Sequence, residues 1–173
     1  MSAAVPETVP VEGGEVPVFT TGPGDGSCPG LVVVPSIFGP HDDLLDQMSG
    51  LADVGTAVVI DPFWRVGGGD GPTNTVPYAE HERAIERLAE FDRARCRDDI
   101  AAVVEWTRDR CSGTMVGLGI CFGGPWVVTG AATGWFAGGA VTWHGRRLET
   151  VRDRGDDLAA PVRLLFGDAD PVT

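Results

Sequence analysis

Gly117-Leu118-Gly119-Ile120-Cys121-Phe122-Gly123-Gly124 is the segment of this chain best suited to covalent chemistry. It places a G-x-C-x-G core behind an apolar run, Met115–Ile120, and ahead of a stretch with helical character, Gly124–Thr133. This is the pattern of a sharp strand-to-helix turn with sulfur where a serine oxygen more often stands. Such a turn strains the backbone at the nucleophile and brings neighbouring main chain close, so the residues two before and two after tolerate little side chain. Gly119 and Gly123 fill those places. Near the first turn of a helix, free N–H groups favour thiolate over thiol at Cys121. The Phe122 amide would point to where an oxyanion develops. A phosphate-cradling loop is the competing use of such glycines, but it calls for a Lys that is not present.

A second candidate is Gly167-Asp168-Ala169-Asp170, which closes the last apolar run. A carboxylate there could fix the tautomer of a histidine base, and the order nucleophile then acid suits a triad of this kind. Of the two acids, Asp170 is preferred.

The elements that must position these residues follow from periodicity. Residues 8–20 alternate around Gly13-Gly14 and predict a hairpin. Leu31–Pro35, Thr56–Ile60, Met115–Ile120, Ala137–Trp143 and Val162–Phe166 are short apolar runs, the mark of strands covered on both faces. Helical spacing is found over 44–52, 79–90, 98–110 and 124–133. The alternation predicts an α/β fold, a three-layer sandwich with a mostly parallel sheet and an N-terminal hairpin. Chemistry in such sheets gathers beyond the carboxyl ends of the strands. With 173 residues the chain is about one domain, residues 1–28 forming the hairpin and loop and 29–173 the core.

Twenty-five acidic residues against thirteen basic ones, all arginine, leave a net charge of −12. That balance argues against nucleic acid as a partner. No apolar stretch approaches the ~18 residues of a membrane span, and Glu7 and Glu12 interrupt any signal-peptide core. A cytoplasmic protein without a membrane partner is expected. Cys28, Cys96, Cys111 and Cys121 form no CxxC pair, and His41, His81 and His144 are scattered. The expectation is therefore reduced thiols and no metal site. Cys96, flanked by Arg95 and Arg97, reads as a surface thiol on a solvated helix face spanning 92–99.

Taken in order, Pro35-Ser36-Ile37-Phe38-Gly39, Asp61-Pro62-Phe63-Trp64-Arg65, Gly119–Gly124 and the Gly167–Asp170 loop resemble the dienelactone hydrolase family, from about Pro29 onward. The resemblance implies an α/β-hydrolase fold, a cysteine nucleophile, and hydrolysis of a small-molecule ester or lactone with no cofactor. It further implies that the amides of Ile37 and Phe122 form the oxyanion hole and that Asp170 is the triad acid. Departures from the family pattern are informative. Ser36 stands where the family carries a Glu that restrains or activates the thiol. His81, with Arg83 two residues on, stands near the family's substrate-binding Arg. Ser36, His81, Arg83 and His144 are accordingly the candidate substrate contacts. The family's catalytic histidine follows one more helix and strand beyond the acid loop, whereas this sequence ends at Thr173. A fragment of a longer hydrolase, lacking its last strand and helix, is the expectation. A non-catalytic binding protein and a thiol sensor at Cys121 remain as alternatives, and the oligomeric state is left open.

Overall fold

The computed structural model describes residues 4–169. Seven strands form one sheet in the order β1-β2-β4-β3-β5-β6-β7. β1 (Val5–Val11) and β2 (Gly14–Thr21) are the expected hairpin, and β2 pairs antiparallel with β4 (Thr56–Ile60). The rest of the sheet is parallel: β3 (Gly30–Val34) lies between β4 and β5 (Met115–Ile120), followed by β6 (Gly139–Trp143) and β7 (Val162–Leu165). β7 occupies the sheet edge among the described residues, and Leu164, Leu165 and Phe166 are exposed there.

Burial explains why the central strands read as continuous apolar runs. Val32, Val34, Val58 and Ile60 pack on one face against Ile100, Val103, Val104 and Val127; Val33, Ala57 and Val59 pack on the other against Leu44, Leu45 and Met48. Helix α1 (Asp42–Ser49) thus covers one face, while α3 (Arg93–Arg108) and α4 (Gly124–Ala132) cover the opposite one. The three layers of an α/β-hydrolase-like sandwich are the consequence. No helix among the described residues is long and apolar enough to cross a membrane.

The structure corrects two details. Helix α3 begins at Arg93 rather than Asp98, because Asp92 caps it by accepting from the Ala94 and Arg95 amides at 2.9 and 3.1 Å. The longer helix turns Cys96 and Asp99 inward. Cys96 is therefore a buried core thiol, its pKa raised chiefly by burial, and not a surface one. Asp99 is likewise buried, accepting from Trp64 Nε1 at 2.9 Å and from Arg65 Nε and Nη2 at 2.9 and 2.8 Å. Arg65 Nη2 also donates to the Glu12 carbonyl at 2.7 Å, so one guanidinium fastens the hairpin to α3. The polar stretch after β6 contains 3-10 turns over Leu148–Asp157, which the periodicity did not indicate.

The connection from β4 to α2 (His81–Glu86) runs beneath the rim where the strands end, and a buried acid organises it. Asp61 accepts from the Phe63 amide at 2.8 Å and from Asn74 Nδ2 at 3.0 Å. Burial pushes its carboxyl up to about 6, against the opposing pull of these bonds and of Arg87. The folded state thus takes up a proton before the unfolded chain, whose carboxyl titrates near 3.8. Stability that this group withholds above its folded pKa returns as pH falls toward the unfolded value. Between about pH 7.5 and about pH 5, denaturant titrations should show the wild type gaining about 1 kcal/mol relative to Asp61→Asn. Parallel pH profiles for the two proteins would show that Asp61 does not titrate in this window.

Candidate active site

The turn after β5 has the geometry that its glycines require. Cys121 lies at φ +52°, in the left-handed region that a side chain rarely adopts, and opens a 3-10 turn, Cys121–Gly123, leading into α4. A Cβ on Gly119 would stand 2.3 Å from the Gly123 carbonyl oxygen, and one on Gly123 would stand 1.9 Å from the Val34 carbonyl oxygen. No side chain fits at either place. The second contact seats the elbow directly on the end of β3, so Phe122 is held beside the Ser36–Gly39 loop that follows that strand.

That loop is a tight turn. The Gly39 amide donates to the Ser36 carbonyl at 3.1 Å and the Phe38 amide to Ser36 Oγ at 3.3 Å. Ser36 thus shapes the turn through its hydroxyl. Phe122 sits in an aromatic cluster: its ring centroid is 5.0 Å from that of Phe63, in a tilted contact, and 5.2 Å from that of Phe91, edge to face.

Cys121, Ile37 and Phe122 line one cavity of about 380 Å³. Ile85, Leu88 and Pro125 give it apolar walls, and His81 also faces it. Three arginines complete it: Arg93 from the start of α3, and Arg146 and Arg147 from the loop after β6. The Arg146 amide donates to the Cys121 carbonyl at 3.0 Å, which ties that loop to the elbow, and Arg147 Nε stands 3.9 Å from Glu149. In a chain of net charge −12 the three arginines are a local concentration of positive charge.

The remaining candidates are distributed differently. Ser36 and His144 line a separate depression of about 220 Å³ with Tyr78 and Trp143. His144 has φ +50°, and its amide donates to the Leu165 carbonyl at 2.9 Å, joining the β6 and β7 rim. Arg83 does not line the Cys121 cavity; it forms ion pairs with Asp70 and Glu80 at 2.8 and 2.9 Å and bonds the Gly68 carbonyl. His41 stands at the start of α1, bonds the Val76 carbonyl through Nε2 at 2.7 Å and stacks on Tyr78. Asp170 lies outside the described residues. Among those described, no group of three or more His, Cys, Asp or Glu could hold a metal ion.

Arg93, Arg146 and Arg147 are the residues that sequence reasoning did not single out. Two of them did carry a signal: adjacent arginines, Arg146-Arg147, three residues past a parallel strand in a chain poor in basic groups. Arg93 could be found only once the true start of α3 was known.

Comparison with known proteins accords with this geometry. Residues 16–173 match the dienelactone hydrolase family. A protein of Methylorubrum extorquens named as a carboxymethylenebutenolidase is 27% identical over 94% of this chain, and the chain spans 58% of that relative's length. Among solved structures, a protein of Klebsiella pneumoniae named as a dienelactone hydrolase superposes with a TM-score of 0.78 at 24% identity, covering 98% of this chain and 74% of its own. A dienelactone hydrolase-like promiscuous phosphotriesterase from metagenomic libraries gives 0.74 at 24% identity, covering 99% of this chain and 72% of its own. These likenesses establish the fold. The family match takes in every parallel strand, the elbow and the loops of the rim, and on that basis the chain belongs to the dienelactone hydrolase family.

Proposed function

We propose that this chain carries the nucleophile and oxyanion-binding part of a hydrolase that cleaves an ester or lactone through a thioester at Cys121. The supporting observation is Cys121 at φ +52° on the elbow, in a cavity shared with Ile37 and Phe122. In this reading the thiolate attacks the carbonyl carbon and forms the S–C bond, and the carbonyl electron pair moves onto oxygen. The Ile37 and Phe122 amides hold that oxyanion. Its collapse expels the alkoxide, which takes a proton, and water then cleaves the thioester. Asp170, by its match to the family's motif, would orient a histidine base. The activity of the whole protein belongs to this proposal, since the chain spans 58% of its curated relative.

The cavity also favours a kind of substrate. Apolar walls from Ile85, Leu88 and Pro125 suit a compact hydrocarbon body, and Arg93, Arg146 and Arg147 suit an anionic group attached to it. This compensates for His81, whose imidazole lacks the planar bidentate fork with which a guanidinium holds a carboxylate. The reading needs no metal, nucleotide or flavin.

Treatment with p-nitrophenyl butyrate should place one acyl group per chain, mapped by peptide mass to Cys121 and absent from Cys121→Ala. Acylation that persists in Cys121→Ala would end the thioester mechanism. A second comparison addresses the arginines. Replacing both Arg146 and Arg147 by Gln should slow acylation by a carboxylate-bearing ester about fivefold or more while changing the neutral ester less than about twofold. Equal effects on both esters would remove the anion preference.

A further inference from the structure

We propose that Arg87 is the positioning residue of the oxyanion-binding loop, an inference that rests on the acyl-transfer reading of Cys121 above. Arg87 belongs to the 3-10 turn Arg87–Ala89 that continues α2, and only 5% of it is exposed. Its Nε donates to the Ile37 carbonyl at 3.1 Å, and its Nη2 donates to the same oxygen. Its Nη1 donates to the Asn74 carbonyl at 3.1 Å. Its Cζ lies over the ring of Phe63, 3.8 Å from the centroid, and that ring packs against Phe122.

This arrangement costs desolvation of a charge, and burial pulls Arg87 down to about 10, so it remains cationic at neutral pH. Asp61 supplies the opposing charge and Arg83 a like one. An apolar side chain would fill the same space without that cost. What the guanidinium supplies instead is a rigid planar fork spanning two backbone carbonyls on two rim loops.

Two N–H groups on one carbonyl oxygen fix the plane of the Ile37–Phe38 peptide. With Gly39 and Phe38 already bonded back to Ser36, the loop has little freedom left, and the direction of the Ile37 amide is set. Through Phe63 the same group supports Phe122. Arg87 therefore touches neither nucleophile nor substrate, yet it bears on both oxyanion donors. A preorganised donor must stand within a few tenths of an ångström of where charge develops, so loosening this loop weakens carbonyl attack specifically.

The test compares two reactions of the same thiol in wild type, Arg87→Lys and Arg87→Met. With p-nitrophenyl acetate, sulfur attacks a carbonyl, an oxyanion forms and p-nitrophenolate leaves. With iodoacetamide, sulfur displaces iodide and no oxyanion forms. Rates of Cys121 modification are read by intact mass and peptide mapping. The expected result is that Arg87→Met slows acylation about tenfold to a hundredfold while alkylation stays within about twofold of wild type. Arg87→Lys, which keeps the charge but cannot bridge both carbonyls, should be intermediate. Should Arg87→Met not melt cooperatively, Arg87→Lys is held to the same criterion, slower acylation at unchanged alkylation. Acylation and alkylation slowed equally, or acylation unaffected, would overturn the positioning role while leaving the acyl-transfer reading standing. A wild-type Cys121 that alkylates but never acylates would overturn that reading and this inference together.

Discussion

The close approach of the Gly123 backbone to the end of β3 is the constraint on which the rim depends. With only a hydrogen at position 123, the elbow can settle onto the Val34 carbonyl, and with only a hydrogen at position 119 the chain can turn back over itself. Those two contacts force Cys121 into the left-handed region, at a cost of order 1–3 kcal/mol that the surrounding packing must offset. Val34 belongs to a strand paired on both sides, so its carbonyl is a fixed reference point. From it the Ser36–Gly39 loop departs, and against it Phe122 is set. The two segments assigned to oxyanion binding are thus neighbours because of one steric fact about glycine.

Sheet and helices were largely legible in the sequence because their signal is local. Thr56–Ile60 and Met115–Ile120 are apolar runs whose alternate residues meet different helices, and their bounds agree with the observed strands. The hairpin was equally plain, since alternation around Gly13-Gly14 leaves one register. The elbow was legible for a different reason: glycine two residues to either side of a cysteine is what the sterics of so sharp a turn demand.

What escaped was set by side chains that meet only in three dimensions. Asp92 as a cap lengthened α3 and changed the meaning of Cys96 and Asp99, which look solvated in an Arg- and Asp-rich stretch. Asp99 is tolerable inside because Trp64 and Arg65, more than thirty positions earlier, supply three donors. Periodicity carries no trace of such a pairing. The same holds for Arg146 and Arg147, which line the cavity on a loop that a backbone bond to Cys121 ties to the elbow. The site that results differs from a bare reading of the motif. The arginines that line it come from the loop after β6, where Arg147 also neighbours Glu149, and from the start of α3; Arg83 of α2 lies outside the cavity, engaged with Asp70 and Glu80.

Central to this account is the joint action of Cys121, Ile37 and Phe122 on one carbonyl. The most direct measurement is a crystal structure of the chain treated with a trifluoromethyl ketone, which traps a thiol as a tetrahedral hemithioketal. The account predicts a covalent bond to Cys121 Sγ with the oxyanion about 2.7–3.1 Å from both the Ile37 and Phe122 amide nitrogens. An adduct on Cys28 or Cys111, or an adduct on Cys121 whose oxygen faces solvent away from those amides, would contradict it.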